Sequence, residues 1–487
     1  MKISKIQGKY FSSFSFAVVG SGPAGFFTSK HLLKKIENVS IDFYDKLPHP
    51  FGLVRNGVAP DHQDVKNVIS DFSQILEHKN VKFMGNVEVG KDITLEELNR
   101  NYSAIILAHG ADGENTLNIL NEDKFGCFSA RNFVNWYNGH ILHSNDSKIN
   151  SLDFSQIKDV VIIGNGNVAI DVARLLAKDP KDIKNLDIPE HVLDKLKHSN
   201  IKNIHIVARR GLMQAAFTIK EVRELSKIPG VNLITFKDEI ENSLNPNSIE
   251  ELEALLPADK RQINRKIEFV KGFLNIDKHD KKSILSIPEA RRNVFFRFLL
   301  APSQIHLDTI NEKVEAISFN KTRLVGKTFS QTVENIPNQL ETIRTPLIFK
   351  SIGYKSVNVF PQLNFDEKEK ILKNENGVVY NNQNELLRNI FTAGWVKIGA
   401  KGIIDTTLRD SYDTAASIFK AINRGSIEPV STDYESIFSR LEEKKVKVFD
   451  YEDWKKIDAY EIEEGKMRNK IREKVTDINK LFSLVNN

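Results

Sequence analysis

Two stretches constrain the fold more than anything else in the chain: FAVVGSGPAGFFTSKHLL over 16–33 and VVIIGNGNVAIDVARLL over 160–176. Each reads as an apolar strand, a tight glycine turn and the start of a helix. They superimpose with a constant offset: Gly20, Gly22 and Gly25 fall on Gly164, Gly166 and Ala169, each 144 residues later. That period is too long for a solenoid and fits two dinucleotide-binding modules in one chain. A lone GxGxxG is a weak signal, but in this context each glycine has a task. The first makes the turn, the second lets the backbone approach a pyrophosphate, and the third permits close helix packing. The helix N-terminus then presents amide N–H groups to the phosphates. Ala169 keeps the two glycines that touch phosphate and adds a methyl where helix meets sheet.

The strand after each turn sorts the ligands. Asp45 ends the first such strand, IDFYD, 20 residues past Gly25, and can accept from a ribose 2′-hydroxyl. The first site therefore suits a nucleotide without a 2′-phosphate, FAD or NAD. After the second turn the strand ends in VARRG, which puts Arg209 and Arg210 where an acid would select NAD. Two guanidiniums there suit the 2′-phosphate of NADP, which they can grip bidentately. They stand 40 residues past Ala169, so a polar insertion around 178–200 must loop out. FAD beside NADPH defines a flavin oxidoreductase.

Composition narrows the class further. The 487 residues suffice for two or three cores at ~150 residues per domain. No apolar run approaches the ~20 residues that span a bilayer. Cys127 is the only cysteine, which excludes an internal disulfide, a CxxC redox centre and a multi-cysteine Fe–S or zinc site, so no metal site is expected. The net charge of +5 is spread out, with no basic block of the kind that tracks nucleic acid. The N-terminal MKISKIQGKYFSSFSF has three lysines and no acid, compatible with a short mitochondrial presequence or a tail over 1–14.

Along the chain, strand–turn–helix over 15–35 is followed by strands at 39–45, 81–84 and 103–109 and a helix at 62–77. A second βαβ begins at Asp159 and reaches a strand at 203–208. Helices are expected at 218–226 and within 249–274, strands at 294–300, 346–352 and 389–395, and a helix at 404–423. The tail 431–487, rich in both charge signs, reads as a solvated helical face. The expected architecture is α/β, with two Rossmann-like, glutathione-reductase-like domains. An FAD domain over 15–114 and 350–487 is interrupted by an NADP domain over 115–349, so that its two pieces share a sheet.

Several longer motifs occur in order: PFGLVRNGVAPDHQDVKNV (50–68), SARNFVNWYNG (129–139), ARRGLMQAAFTIKEVRE (208–224), SIGYKS (351–356) and AGWVKIGAKGII (393–404). Together with the glycine turns they resemble the adrenodoxin reductase family, mitochondrial-type NADPH:ferredoxin oxidoreductases, over nearly the whole chain. The resemblance implies that FAD is held at Gly20, Gly22, Ala24, Gly25 and Asp45, with Leu53 and Val89 beside it and Trp395, Gly402, Ile403 and Ile404 near the flavin. For NADP it implies Gly164, Asn165, Gly166, Asn167 and Val168, with Arg209 and Arg210 on the 2′-phosphate and Glu221 and Gly402 nearby. His62 and Asp171 match a polar pair that the family places near the flavin, with a candidate catalytic role. Two departures stand out. Asp45 replaces the family's usual glutamate, and GWVKIGAKGII has Ile398 and Lys401 where members tend to read arginine and threonine.

The activity so implied passes a hydride from NADPH to FAD and then single electrons to an acidic [2Fe–2S] ferredoxin. The resemblance further implies a monomer in the mitochondrial matrix or a mitochondrion-related organelle, with at most peripheral contact with the inner membrane. Lys260, Arg261, Arg265 and Lys266 form a basic cluster on an expected helix, and Arg261 and Arg265, four apart, share a face that could dock the partner. A flavin monooxygenase and a module of a larger iron–sulfur reductase are the alternatives. A dithiol reductase is disfavoured by the missing CxxC.

Overall fold

The computed structural model describes residues 13–486, so most of the segment read as a presequence or tail lies outside the described residues. The chain divides into two compact units, one comprising Met1–Glu114 and Tyr354–Asn487, the other Asn115–Gly353.

In the first unit the apolar run of Phe14–Val19 forms the central strand, with Phe16, Ala17 and Val18 fully buried. It pairs in parallel with Val39–Asp45 on one side and Ala104–Leu107 on the other. Val81–Gly85 extends the first side, and Leu386–Thr392 extends the second, also in parallel. Two antiparallel strands, Val378–Tyr380 and Asn374–Glu375, close that edge. Strand order reverses at Phe14–Val19, and in open α/β sheets the crevice at such a reversal, beyond the carboxyl ends, is where ligands bind.

Helix Pro23–Lys35 starts with proline, which has no N–H to leave unbonded, and ends in Lys34 and Lys35, which favour the negative end of its dipole. Its Phe26 stacks on Phe72 at 4.6 Å. Helix Ile404–Asn423 packs along it, and Ser411 Oγ donates to the Ala24 carbonyl at 3.3 Å. The helix expected over 62–77 is broken at Asn67 into Gln63–Lys66 and Val68–Leu76.

The tail is not merely a solvated face. Helix Tyr451–Met467 buries Trp454, Ile457 and Glu461. Its fully buried Glu461 takes Arg55 Nη2 at 2.5 Å and Arg472 Nη1 at 3.0 Å, and accepts the Val475 N–H at 2.9 Å. Arg55 also lies over the Trp454 ring at 4.9 Å. Burial pushes the Glu461 carboxyl up, but the guanidiniums of Arg55 and Arg472 outweigh burial and hold it below the ordinary range.

The second unit has a seven-stranded sheet in the order Leu274–Ile276, Val231–Phe236, Arg292–Arg297, Asn203–Val207, Asp159–Ile163, Leu347–Lys350, Cys127–Ser129, parallel throughout. A parallel sheet is covered on both faces, which is why VVII at 160–163 is unbroken by polar residues. The strand Leu347–Lys350 pairs with Asp159–Ile163. It therefore belongs wholly to this unit, and the boundary falls at 353/354 rather than 349/350. The polar insertion carries the helices Pro180–Ile183 and Glu190–Lys197.

An antiparallel sheet of Leu300–Leu307, Val314–Val325 and Thr332–Arg344 was not legible in the sequence. Its third strand is mostly exposed and has no apolar alternation to betray it. At the two crossings between the units, Gly113–Glu114 and Tyr354–Lys355 form a short antiparallel ladder within the first unit. No helix among the described residues is long and apolar enough to cross a membrane.

Candidate functional site

The first glycine turn sits at the carboxyl end of the central strand. Gly20 has φ +104°, and a Cβ there would lie 2.5 Å from the Ala108 carbonyl oxygen. A Cβ on Gly25 would come within 2.4 Å of the Gly20 oxygen. Gly22 differs: a Cβ there meets nothing within 4 Å. It caps helix Pro23–Lys35, and among the described residues no side chain bonds the helix N-terminus. The chain thus builds an open cradle of backbone at the positive end of a helix, the arrangement that takes a pyrophosphate.

Asp45 closes the turn from the next strand. Its Oδ2 accepts from Ser21 N at 2.8 Å and Ser21 Oγ at 2.6 Å, and its Oδ1 accepts from Leu47 N at 2.9 Å. Burial pushes its carboxyl up, against these hydrogen bonds and Lys46. The shorter aspartate is thereby brought to the turn, and a carboxylate with about four acceptor positions keeps capacity for a ribose hydroxyl.

A brace that the sequence reading missed comes from Phe51 and Gly52. Phe51 N–H donates to the Ser21 carbonyl at 2.9 Å, and Phe51 takes the rare φ of +83°. A Cβ on Gly52 would stand 3.0 Å from Gly22 Cα. PFG therefore presses on the cradle. Leu53 comes next, 37% exposed, whereas Val89 is buried in the core beneath. His109, also missed, lies two residues past Ala104–Leu107, the strand on the other side of the reversal, and burial lowers its pKa to about 4.

After the last strand the chain turns at Gly394, whose φ is +73°. Trp395 stacks on Tyr354 with ring centroids 5.6 Å apart and planes 26° apart. Gly402 takes φ +82° and Ile403 is 58% exposed, just before helix Ile404–Asn423. His62 is buried at the start of helix Gln63–Lys66 and its N–H donates to the Ala59 carbonyl at 3.0 Å.

The second turn repeats the plan in the other unit. Gly164 has φ +114°, and its Cβ would sit 2.0 Å from the Ser351 oxygen, whereas a Cβ on Gly166 meets nothing within 4 Å. Ala169 is fully buried and fits. Asn165, Gly166, Asn167 and Val168 are half-buried around the cradle. Asn167 Oδ1 accepts the Thr218 N–H at 2.8 Å, tying the turn to helix Ile219–Ser226.

Arg209 and Arg210 lie just past the next strand with both side chains exposed. Their backbone is pinned, Thr322 Oγ1 donating to the Arg209 carbonyl at 2.8 Å. Neither guanidinium pairs with a carboxylate among the described residues. Asp171 and Glu221 are held together by buried Arg174, at 2.7 Å and 3.1 Å respectively. Arg174 was not singled out in the sequence because only the packing of two helices brings its partners together.

Of the expected basic cluster on helix Pro257–Lys271, two members stay exposed and unpaired with any carboxylate among the described residues. Lys260 pairs with Glu253. Lys266 turns inward to donate to the Ala215 carbonyl at 2.6 Å, and burial lowers its pKa to about 8. Arg261 and Arg265 stay exposed on one face, with Arg261 Nε bonded to its own helix at the Pro257 carbonyl.

The residues present fit a dinucleotide at each cradle, one without and one with an added phosphate. A direct check separates the cradle from the fold. Gly22→Val, whose Cβ meets no atom of the chain within 4 Å, should give a folded protein that melts with the cofactor-free form of the unaltered protein and retains no dinucleotide at the first turn. Gly20→Ala should instead destabilise the fold, since its methyl strikes backbone. Thermal melts and the absorption spectra of the purified variants distinguish the two; a Gly22→Val protein that purifies with full ligand would refute the cradle.

The family model described as pyridine nucleotide-disulphide oxidoreductase matches residues 14–284. The mitochondrial NADPH:adrenodoxin oxidoreductase of Salvelinus fontinalis is 37% identical over 476 residues, 97% of this chain and 91% of that protein. That of Arabidopsis thaliana is 35% identical, covering 96% and 95%. That of Homo sapiens is 36% identical, covering 96% and 91%. Among solved structures, Mycobacterium tuberculosis FprA in complex with NADPH superimposes with a TM-score of 0.84 at 31% identity, covering 98% of this chain and all of that one.

Proposed function

The chain belongs to the NADPH:adrenodoxin oxidoreductase family, and from that membership we propose that it carries electrons from NADPH through FAD to an adrenodoxin-type [2Fe–2S] ferredoxin in the mitochondrion. When bound, FAD supplies what side chains cannot: it takes two electrons from NADPH as a hydride and releases them one at a time to the iron–sulfur partner.

The chain's own residues bind and orient. Gly20, Gly22, Ala24 and Gly25 bring backbone and a helix N-terminus to the FAD pyrophosphate, Asp45 takes its ribose, and Leu53 and Val89 lie alongside. Trp395, Gly402, Ile403 and Ile404 line the flavin end. Gly164, Asn165, Gly166, Asn167 and Val168 cradle the NADP pyrophosphate, Glu221 and Gly402 lie nearby, and Arg209 and Arg210 grip the 2′-phosphate. His62 and Asp171 serve as the polar residues at the flavin, with Arg174 fixing the orientation of Asp171. The observation that carries the reading is the contrast between strand ends: a carboxylate, Asp45, faces the first turn, and two exposed, unpaired guanidiniums stand beyond the second.

The partner is an acidic ferredoxin that docks on Arg261 and Arg265, the two exposed cations of their helix that no carboxylate among the described residues engages. The reading extends to a monomer in the mitochondrial matrix or a mitochondrion-related organelle, touching the inner membrane at most peripherally. Cytochrome c reduction by NADPH should require added ferredoxin; substrate-dependent oxygen uptake without ferredoxin would mark a monooxygenase instead. Arg261→Glu with Arg265→Glu should slow ferredoxin-dependent reduction by about tenfold or more at low salt and spare diaphorase activity with a small dye. Equal loss of both activities would remove the docking assignment.

A further inference from the structure

The turn that carries Trp395 is held from behind by a buried ion pair. Asp410, on helix Ile404–Asn423, accepts the Gly394 N–H on Oδ2 at 2.6 Å and pairs through Oδ1 with Lys397 Nζ at 2.7 Å. Lys397 Nζ also donates to Thr414 Oγ1 at 2.9 Å and to the Asp410 carbonyl at 3.3 Å, so its three protons are all placed. Thr414 Oγ1 in turn donates to the Thr392 carbonyl at 2.9 Å, at the end of the last strand. Lys397 N–H returns to the Gly394 carbonyl at 2.8 Å. Strand end, turn and helix are thus cross-linked around one carboxylate.

A buried ion pair is not in itself a stabilising choice, since well-packed apolar residues of the same volume do as well or better. What an apolar pair cannot do is hold the Gly394 N–H. That group sits where φ is +73° and where a side chain would strike Ala24, 2.5 Å away at its Cβ, so the turn has little freedom to find another acceptor. On its outer side the turn bears Trp395, stacked on Tyr354, with the Trp395 carbonyl accepting from Ser356 Oγ at 3.3 Å.

We propose that Asp410 is a positioning residue: with Lys397 as its counter-charge, it fixes the Gly394–Trp395 turn in the attitude that presents Trp395 to the flavin. The second half rests on the proposed placement of Trp395 at the flavin. Lys397 supports the turn in the same role and is not a ligand of the cofactor.

The test uses two double variants of the holoenzyme that remove the buried charge together with its partner, so that both can fold. Lys397→Met with Asp410→Asn keeps an acceptor for Gly394; Lys397→Met with Asp410→Leu has the same bulk and none. At matched melting temperatures, the leucine variant should exchange backbone hydrogens over 393–399 faster than the asparagine variant. It should also release FAD, read by the rise in flavin fluorescence on dilution, about tenfold faster. Equal exchange over 393–399 and equal release in the two variants would overturn the proposal. Trp395→Phe is measured beside them. If its flavin spectrum and release rate match the unaltered protein while the leucine variant still loosens 393–399, the clamp stands and the placement of Trp395 at the flavin fails.

Discussion

Replacing Arg209 and Arg210 together by alanine is expected to lower kcat/KM for NADPH by about 10²-fold while leaving NADH almost unchanged. A hydrogen bond to a charged group contributes about 1.5–3 kcal/mol, and both arginines are exposed, so the lower end applies to each. The two losses add to about two powers of ten. NADH has no phosphate to lose, and neither side chain supports the fold, since both point outward and make no ion pair among the described residues. Stopped-flow reduction of the flavin by each nucleotide reads the ratio directly. An unchanged preference for NADPH would show that the 2′-phosphate is gripped elsewhere.

Glu461→Gln should be the most damaging single change away from the cradles, costing about 3–5 kcal/mol, or roughly 10 °C in Tm. It leaves Arg55 buried without its counter-charge, and Arg55 belongs to the same short helix, Gly52–Asn56, that packs against the first cradle. The effect carries a pH signature. The folded Glu461 carboxyl lies below its ordinary value of 4.5, so its contribution is complete above that pH and is lost as pH falls through the lower folded value. Melts at pH 7 should therefore separate the two proteins widely, and the gap should narrow progressively as pH falls below 4.5 toward the lower folded value. A gap that stays constant down to pH 3 would mean that the charge of Glu461 does not matter.

These two predictions also mark what the sequence could and could not reveal. The glycine turns, the strands before them, Asp45 and the arginine pair are legible because each depends on residues close together in the chain, with φ above zero or a strand end to betray them. The Arg55–Glu461 pair joins residues 406 apart, and nothing local in YEIEEGK distinguishes the buried glutamate from its exposed neighbours. The same holds for Asp410, which looks like one more charge on an amphipathic helix until Gly394 is seen against it. Lys266 failed in the opposite sense: it reads as part of a basic face, and only the fold shows that it turns inward to a carbonyl. Side chains whose partners come from another element were invisible, whatever their importance.

The ladder at the crossings, Gly113–Glu114 against Tyr354–Lys355, has a consequence for how such a chain can be cut and joined. Glu114 and Tyr354 are direct cross-strand neighbours, so the first unit leaves off and resumes at the two sides of one hairpin stem. Antiparallel partners lie only about 5 Å apart, a gap that a two-residue turn such as Asn-Gly closes. The whole of 115–353 can then be regarded as an overgrown hairpin loop. A chain trimmed to that turn keeps both strands that flank the interruption, Ala104–Leu107 and Leu386–Thr392, in register with each other. An ancestral one-nucleotide protein could have acquired its second module at this stem without rebuilding its sheet.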